Sequence, residues 1–179
     1  KTNNTAYKFD FYGTAQKDST EPVEPTEGTE YGLATTLETG DKVILYSDAN
    51  KVGLGNTISN YKITGVSLTP EDGIITTDNT DVVWEVTKNA DGTYTFTQGT
   101  YVLGGVVSGS YNNLVVTNAT ATKWTLTGPN ALDLSYYMYL GDMTSSHGNV
   151  YLEYYNGFTL YGSNAPTADA YEIGRASCR

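Results

Sequence analysis

Apolar and polar residues change places at every second position along most of this chain, in short runs separated by glycine, proline, asparagine and aspartate. That period predicts half-buried β-strands joined by turns, and no stretch keeps apolar residues at helical spacing. The clearest run is Thr80-Asp-Val-Val-Trp-Glu-Val-Thr87, centred on Trp84. A second version is Thr120-Ala-Thr-Lys-Trp-Thr-Leu-Thr127 and a third is Ala168-Asp-Ala-Tyr-Glu-Ile173. Each carries an aromatic, one polar residue and an aliphatic: Trp84-Glu-Val86, Trp124-Thr-Leu126, Tyr171-Glu-Ile173. Other runs read as strands in the same way, among them Asp41-Lys-Val-Ile-Leu-Tyr46, Thr93-Tyr-Thr-Phe-Thr97, Asn113-Leu-Val-Val-Thr117 and Val150-Tyr-Leu-Glu-Tyr154. The expected fold is all-β.

The aromatic strands recur at intervals of 40 and 47 residues, and a leucine followed by glycine recurs in phase with them: Leu54-Gly55, Leu103-Gly104, Leu140-Gly141. Repetition of this kind predicts units that cannot bury their apolar faces alone. Three units of about four strands resemble the β-trefoil, in which six strands close a barrel and three hairpins cap it. A β-sandwich is the alternative, since its strands also alternate and also bury tryptophan. In either fold Trp84 and Trp124 are expected in the core.

Residues 6–16 alternate as well, with Tyr7, Phe9 and Phe11 set against Lys8, Asp10 and Tyr12. Residues 1–16 are therefore expected to be the end of a truncated upstream β domain. An acidic Pro/Thr/Glu stretch follows, and its like charges and prolines predict an extended linker over 17–32. The repeated domain is expected over 33–173. The tail 174–179 is read as non-native, because Glu172-Ile-Gly-Arg-Ala-Ser-Cys-Arg179 can be encoded by a stretch resembling a common sequencing adapter.

Charge narrows the function classes. Ten Lys and Arg stand against 20 Asp and Glu, giving a formal net charge of −10, the wrong sign for binding nucleic acid phosphates or an anionic membrane. The single cysteine excludes a disulfide framework and a thiolate metal cluster. No cofactor is expected, and the scattered aspartates lack the alternation of a calcium loop. The single histidine, His147, lies beside Ser145 and Ser146 in a glycine-flanked loop, with no carboxylate indicated to orient it. A non-catalytic module is the expectation.

Tyrosine is abundant, with 16 residues, and the third unit concentrates it on outward positions. Tyr137, Tyr139, Tyr151 and Tyr155 alternate there with Asp142, Glu153 and Asn156. Aromatic faces beside fixed acceptors are what sugar recognition requires, so these seven residues are the candidate ligand site. The last strands lack the Gln-x-Trp motif of ricin-type lectins, having Val82, Thr122 and Asp169 where glutamine would stand. Gly40-Asp-Lys-Val43 and Ala90-Asp-Gly-Thr93 instead resemble accessory β-trefoil-like modules of large secreted proteins from gut anaerobic bacteria. That resemblance implies a secreted or cell-surface, non-catalytic module attached to a hydrolase or surface protein; carbohydrate is the partner expected from the tyrosines and acceptors of the third unit. A structural spacer or protein-docking module is the alternative, and an enzyme fragment is a third.

Overall fold

The computed structural model of the chain describes residues 8–14, 28–128 and 135–164. The all-β expectation holds within them, where the one helical feature is a 3-10 turn at Thr80–Val82. The strands of the first half are β1 (Asp10–Thr14), β2 (Thr29–Leu33), β3 (Lys42–Ser47), β4 (Val52–Ser59), β5 (Lys62–Ser67), β6 (Ile74–Thr77) and β7 (Trp84–Lys88). Next come β8 (Tyr94–Gln98), β9 (Tyr101–Val102), β10 (Gly104–Ser108), β11 (Tyr111–Val115) and β12 (Trp124–Thr127). The last are β13 (Tyr137–Ser145), β14 (Gly148–Tyr154) and β15 (Phe158–Ser163). Thirteen strands belong to one antiparallel sheet, and β10–β11 form a separate ribbon.

Six strands follow one another in a closed circuit. β1 pairs with β3, β3 with β7, β7 with β8, β8 with β12 and β12 with β13. Phe9 and Tyr136, just ahead of β1 and β13, complete it by exchanging both backbone hydrogen bonds, at 2.9 and 2.8 Å. Closure leaves these strands no open edge.

The register around the circuit recurs. Val43 lies opposite Trp84, and Leu45 opposite Phe11. Tyr94 lies opposite Trp124, and Phe96 opposite Val86. Tyr136 lies opposite Phe9, and Met138 opposite Leu126. Three strands thus present the same pair of alternate residues to an aromatic and to a residue two places beyond an aromatic. Because the side-chain period is two, such a register sends all these residues to one face. They form one core cluster, with Trp84, Trp124, Phe9, Phe11, Phe96 and Met138 fully enclosed.

The tryptophans also explain the leucine–glycine landmark. Trp84 Nε1 donates to the Leu54 carbonyl and Trp124 Nε1 to the Leu103 carbonyl, both at 3.0 Å. Each indole fills the core and satisfies its one polar atom on the leucine of its own unit. The third landmark is displaced. Tyr46 pairs with Gly53, Thr97 with Val102 and Tyr139 with Tyr151, so the residues that follow, Leu54, Leu103 and Leu152, are the equivalent ones. Leu140-Gly141 sits instead on β13, opposite Trp124. Tyr171 lies outside the described residues.

Two boundary expectations are corrected. The run expected to end a separate domain is an inner strand of this one, because Phe9 and Phe11 are buried among the tryptophans. The linker expected to reach residue 32 gives way to β2, which pairs with β1 and β6. Tyr31 anchors β2 in a second apolar cluster with Tyr12, Ile44, Tyr46, Ile75 and Val82. β1 and β3 are consequently buried on both faces, which is why Val43-Ile-Leu-Tyr46 is apolar throughout. Residues 15–27, most of the acidic stretch, lie outside the described residues, as do 165–179.

Candidate functional site

The seven residues expected to bind ligand do not form one surface. Tyr137 and Tyr139 are half-buried and pack against the buried Tyr151, whose ring centroid lies 5.3 Å from that of Tyr139. Glu153 is buried as well, at 5% exposure. Asp142 is exposed but engaged, since its carboxylate accepts the backbone N–H groups of Thr122 at 3.0 Å and Lys123 at 3.2 Å. Tyr155 and Asn156 stand apart from the other five in the turn between β14 and β15. There Lys62 Nζ lies 4.4 Å from the Tyr155 ring centroid and donates to the Tyr155 carbonyl. The outward face of β14 is covered rather than open, a fact that strand alternation alone does not reveal.

Of the four expected tyrosines Tyr155 alone is exposed, at 38%, and three tyrosines outside the set reach solvent further. Tyr61 is 77% exposed, Tyr111 74% and Tyr161 44%. All three line one open cavity of 570 Å³, a size ordinary for a small-ligand site. Three hairpin turns frame it: Asn60-Tyr61 between β4 and β5, Gly109-Ser110 between β10 and β11, and Ser146-His147 between β13 and β14. Thr159 and Tyr161 of β15 complete the wall. The free ribbon β10–β11 is brought there by contacts of β11 with β15 and β5.

The turn chemistry is local and specific. Ser59 pairs with Lys62, so Asn60 and Tyr61 are the two central residues of a tight hairpin, with φ of 49° and 65°. A two-residue turn with both φ positive favours Asn-Gly, because glycine accepts the second position without a Cβ penalty. Here a tyrosine occupies it. A bulky residue held in left-handed backbone at an exposed tip is a conformational expense that packing does not explain. At the second turn glycine does stand first, with Gly109 at φ 62°.

The lining mixes polar with apolar groups and is not acidic. Asn60, Asn112 and Asn113 contribute amides, and Ser110, Ser145 and Ser146 contribute hydroxyls, while no aspartate or glutamate is among the described residues that line the cavity. His147 joins from the third turn, with Nδ1 3.2 Å from Ser146 Oγ. The arrangement offers donors, acceptors and ring faces but no carboxylate to orient the histidine. Lys62 lines the wall and also a neighbouring cavity of 330 Å³, where it meets Asn156 and Tyr154. Asn156 is thus the one residue of the expected set that borders either cavity.

Of the three tyrosines that line the cavity, Tyr61 and Tyr111 belong to the first two units, outside the set that the sequence pattern selects. The signal available for Tyr61 was its position directly after Asn60 between two strand-like runs. Comparison with protein-family models, with curated proteins and with solved structures finds no match for the chain.

Proposed function

We propose that this chain is a non-catalytic extracellular module that binds carbohydrate in the cavity bounded by Tyr61, Tyr111 and Tyr161. The observation that carries the proposal is the convergence of three exposed tyrosine rings on a cavity lined by amides and hydroxyls. Sugar rings present apolar C–H faces and hydroxyl edges, and such a lining meets both. The frame is inferred to be β-trefoil-like. The closed six-strand circuit and its threefold register support that reading, as does the shared indole-to-leucine bond. The resemblance to accessory modules of secreted gut-bacterial proteins gives the setting: a unit that holds a larger hydrolase or surface protein near glycan.

A glycan array probed with the 1–179 chain tests the proposal. Binding to a defined saccharide class is expected. Tyr61→Ala and Tyr161→Ala should each weaken it by about tenfold, the size of one lost ring contact, while thermal unfolding stays near wild type. An array without signal sinks the carbohydrate reading. A docking module then gains ground, because solvent-facing tyrosines also suit protein interfaces.

A further inference from the structure

We infer that the saccharide this cavity prefers is anionic, carrying a carboxylate or sulfate group that Lys62 receives; the inference rests on the carbohydrate reading above. The observation is a reversal of charge. The chain as a whole carries −10, yet the two adjoining cavities are lined by Lys62 and His147 and by no described carboxylate. In a protein with twice as many acids as bases, a region lined by a cation alone is a departure that favours anions locally.

The state of Lys62 differs from that of three other lysines. Lys51, Lys88 and Lys123 are ion-paired with Asp48, Glu38 and Asp91, at 2.6, 2.8 and 2.7 Å. Lys62 has no carboxylate partner among the described residues. Its ammonium is held instead by the Tyr155 carbonyl and ring. Those neutral partners fix the position of the group and leave its charge uncancelled, with donor capacity remaining on an ammonium that has three N–H bonds. The side chain follows Tyr61 directly, so the strained turn that projects the ring also sets the start of the lysine stem. A saccharide resting on Tyr61 would bring its substituents toward the wall that Lys62 shares between the two cavities.

The test compares three polymers by calorimetry on the 1–179 chain: polygalacturonate, its fully methyl-esterified neutral form, and carrageenan, a sulfated galactan without carboxylates. The expected result is tighter binding to at least one anionic polymer than to the ester, with the two anionic arms separating carboxylate from sulfate. Lys62→Gln should erase that preference, about tenfold for one charge-assisted hydrogen bond, and Lys62→Arg should retain most of it. If Lys62→Gln fails to fold, wild-type salt dependence replaces it. Screening from about 10 Å at 0.1 M to about 3 Å at 1 M should weaken the anionic arm and spare the neutral one. Equal or better binding of the ester, or a preference that survives both Lys62→Gln and salt, overturns the anionic inference and leaves the carbohydrate reading standing. Failure of these polymers alongside a wild-type array signal confined to neutral glycans has the same meaning. Absence of any saccharide binding removes both.

Discussion

Trp84 and Tyr61 are large aromatics of the same unit with opposite relations to the fold. Trp84 is fully enclosed, sits in ordinary strand backbone and donates its indole N–H to the Leu54 carbonyl. Tyr61 is 77% exposed, occupies left-handed backbone and lies on the rim of a cavity. The structure around Trp84 is stabilised by that residue, whereas the turn around Tyr61 is stable despite it. An aromatic that local physics disfavours is a better pointer to ligand contact than one that local physics rewards.

The sharpest way to break this comparison is to truncate both. Trp84→Ala should destabilise the domain by about 3–5 kcal/mol, from lost burial and the cavity left in the core, and Trp124→Ala should behave alike. Tyr61→Ala should leave stability within about 0.5 kcal/mol of wild type, as at surface sites generally. Urea unfolding of the three variants decides the matter, and a Tyr61→Ala loss comparable to the tryptophan losses would end the distinction.

A glycine substitution probes the frame at a second point. An added Cβ at Gly104 would stand 2.7 Å from Ala119 Cβ and collide with the Ala121 carbonyl oxygen, a backbone atom with little freedom to move. Gly104→Ala should therefore destabilise by about 1–3 kcal/mol, the range for overpacking. The same change at Gly73 meets no atom within 4 Å, so only its φ of 77° opposes it. The two variants together separate crowding from backbone strain.

Tyr61→Gly reverses the usual direction. Glycine accepts positive φ without penalty, so the variant should be more stable than Tyr61→Ala by about 0.5–1 kcal/mol while binding equally poorly. Stability gained and binding lost at one residue would identify the strain as retained for contact. Matching stabilities of the Gly and Ala variants would show that the turn stores none.

How far the chain's pattern discloses the fold is visible in these residues. Alternation around Trp84 and Trp124 correctly identifies buried strands, because a period of two has one structural meaning when the strands are short. The same alternation at Phe9 and Phe11 identifies a strand but not its partners, since pairing with β3 is a long-range choice that local pattern does not carry. Leu140-Gly141 matches the landmark in composition, yet the register elects Leu152. Of the expected ligand residues, Tyr151 and Glu153 do alternate with the core positions, but their face of β14 is itself covered. Tyr61 and Tyr111 carry the exposure instead, because hairpin tips escape the coverage that strand faces receive.

The smallest expected effect belongs to a pair outside both regions. Asp91 Oδ2 accepts from Lys123 Nζ at 2.7 Å, and its other oxygen takes the Thr93 hydroxyl at 2.6 Å. The hydrogen bond from Lys123, followed by those from Thr93, holds the Asp91 carboxyl far below the usual carboxylate range. A carboxyl depressed by folding adds stability above its unfolded pKa, about 3.9, and the contribution disappears as pH falls through the lower folded value. Asp91→Asn should therefore lower the melting temperature slightly at pH 7, and the gap to wild type should narrow as pH drops below 4. Both side chains of the ion pair are about half exposed, so solvent screening keeps the difference small. A gap that widens toward acid would mean that the ionised pair opposes folding.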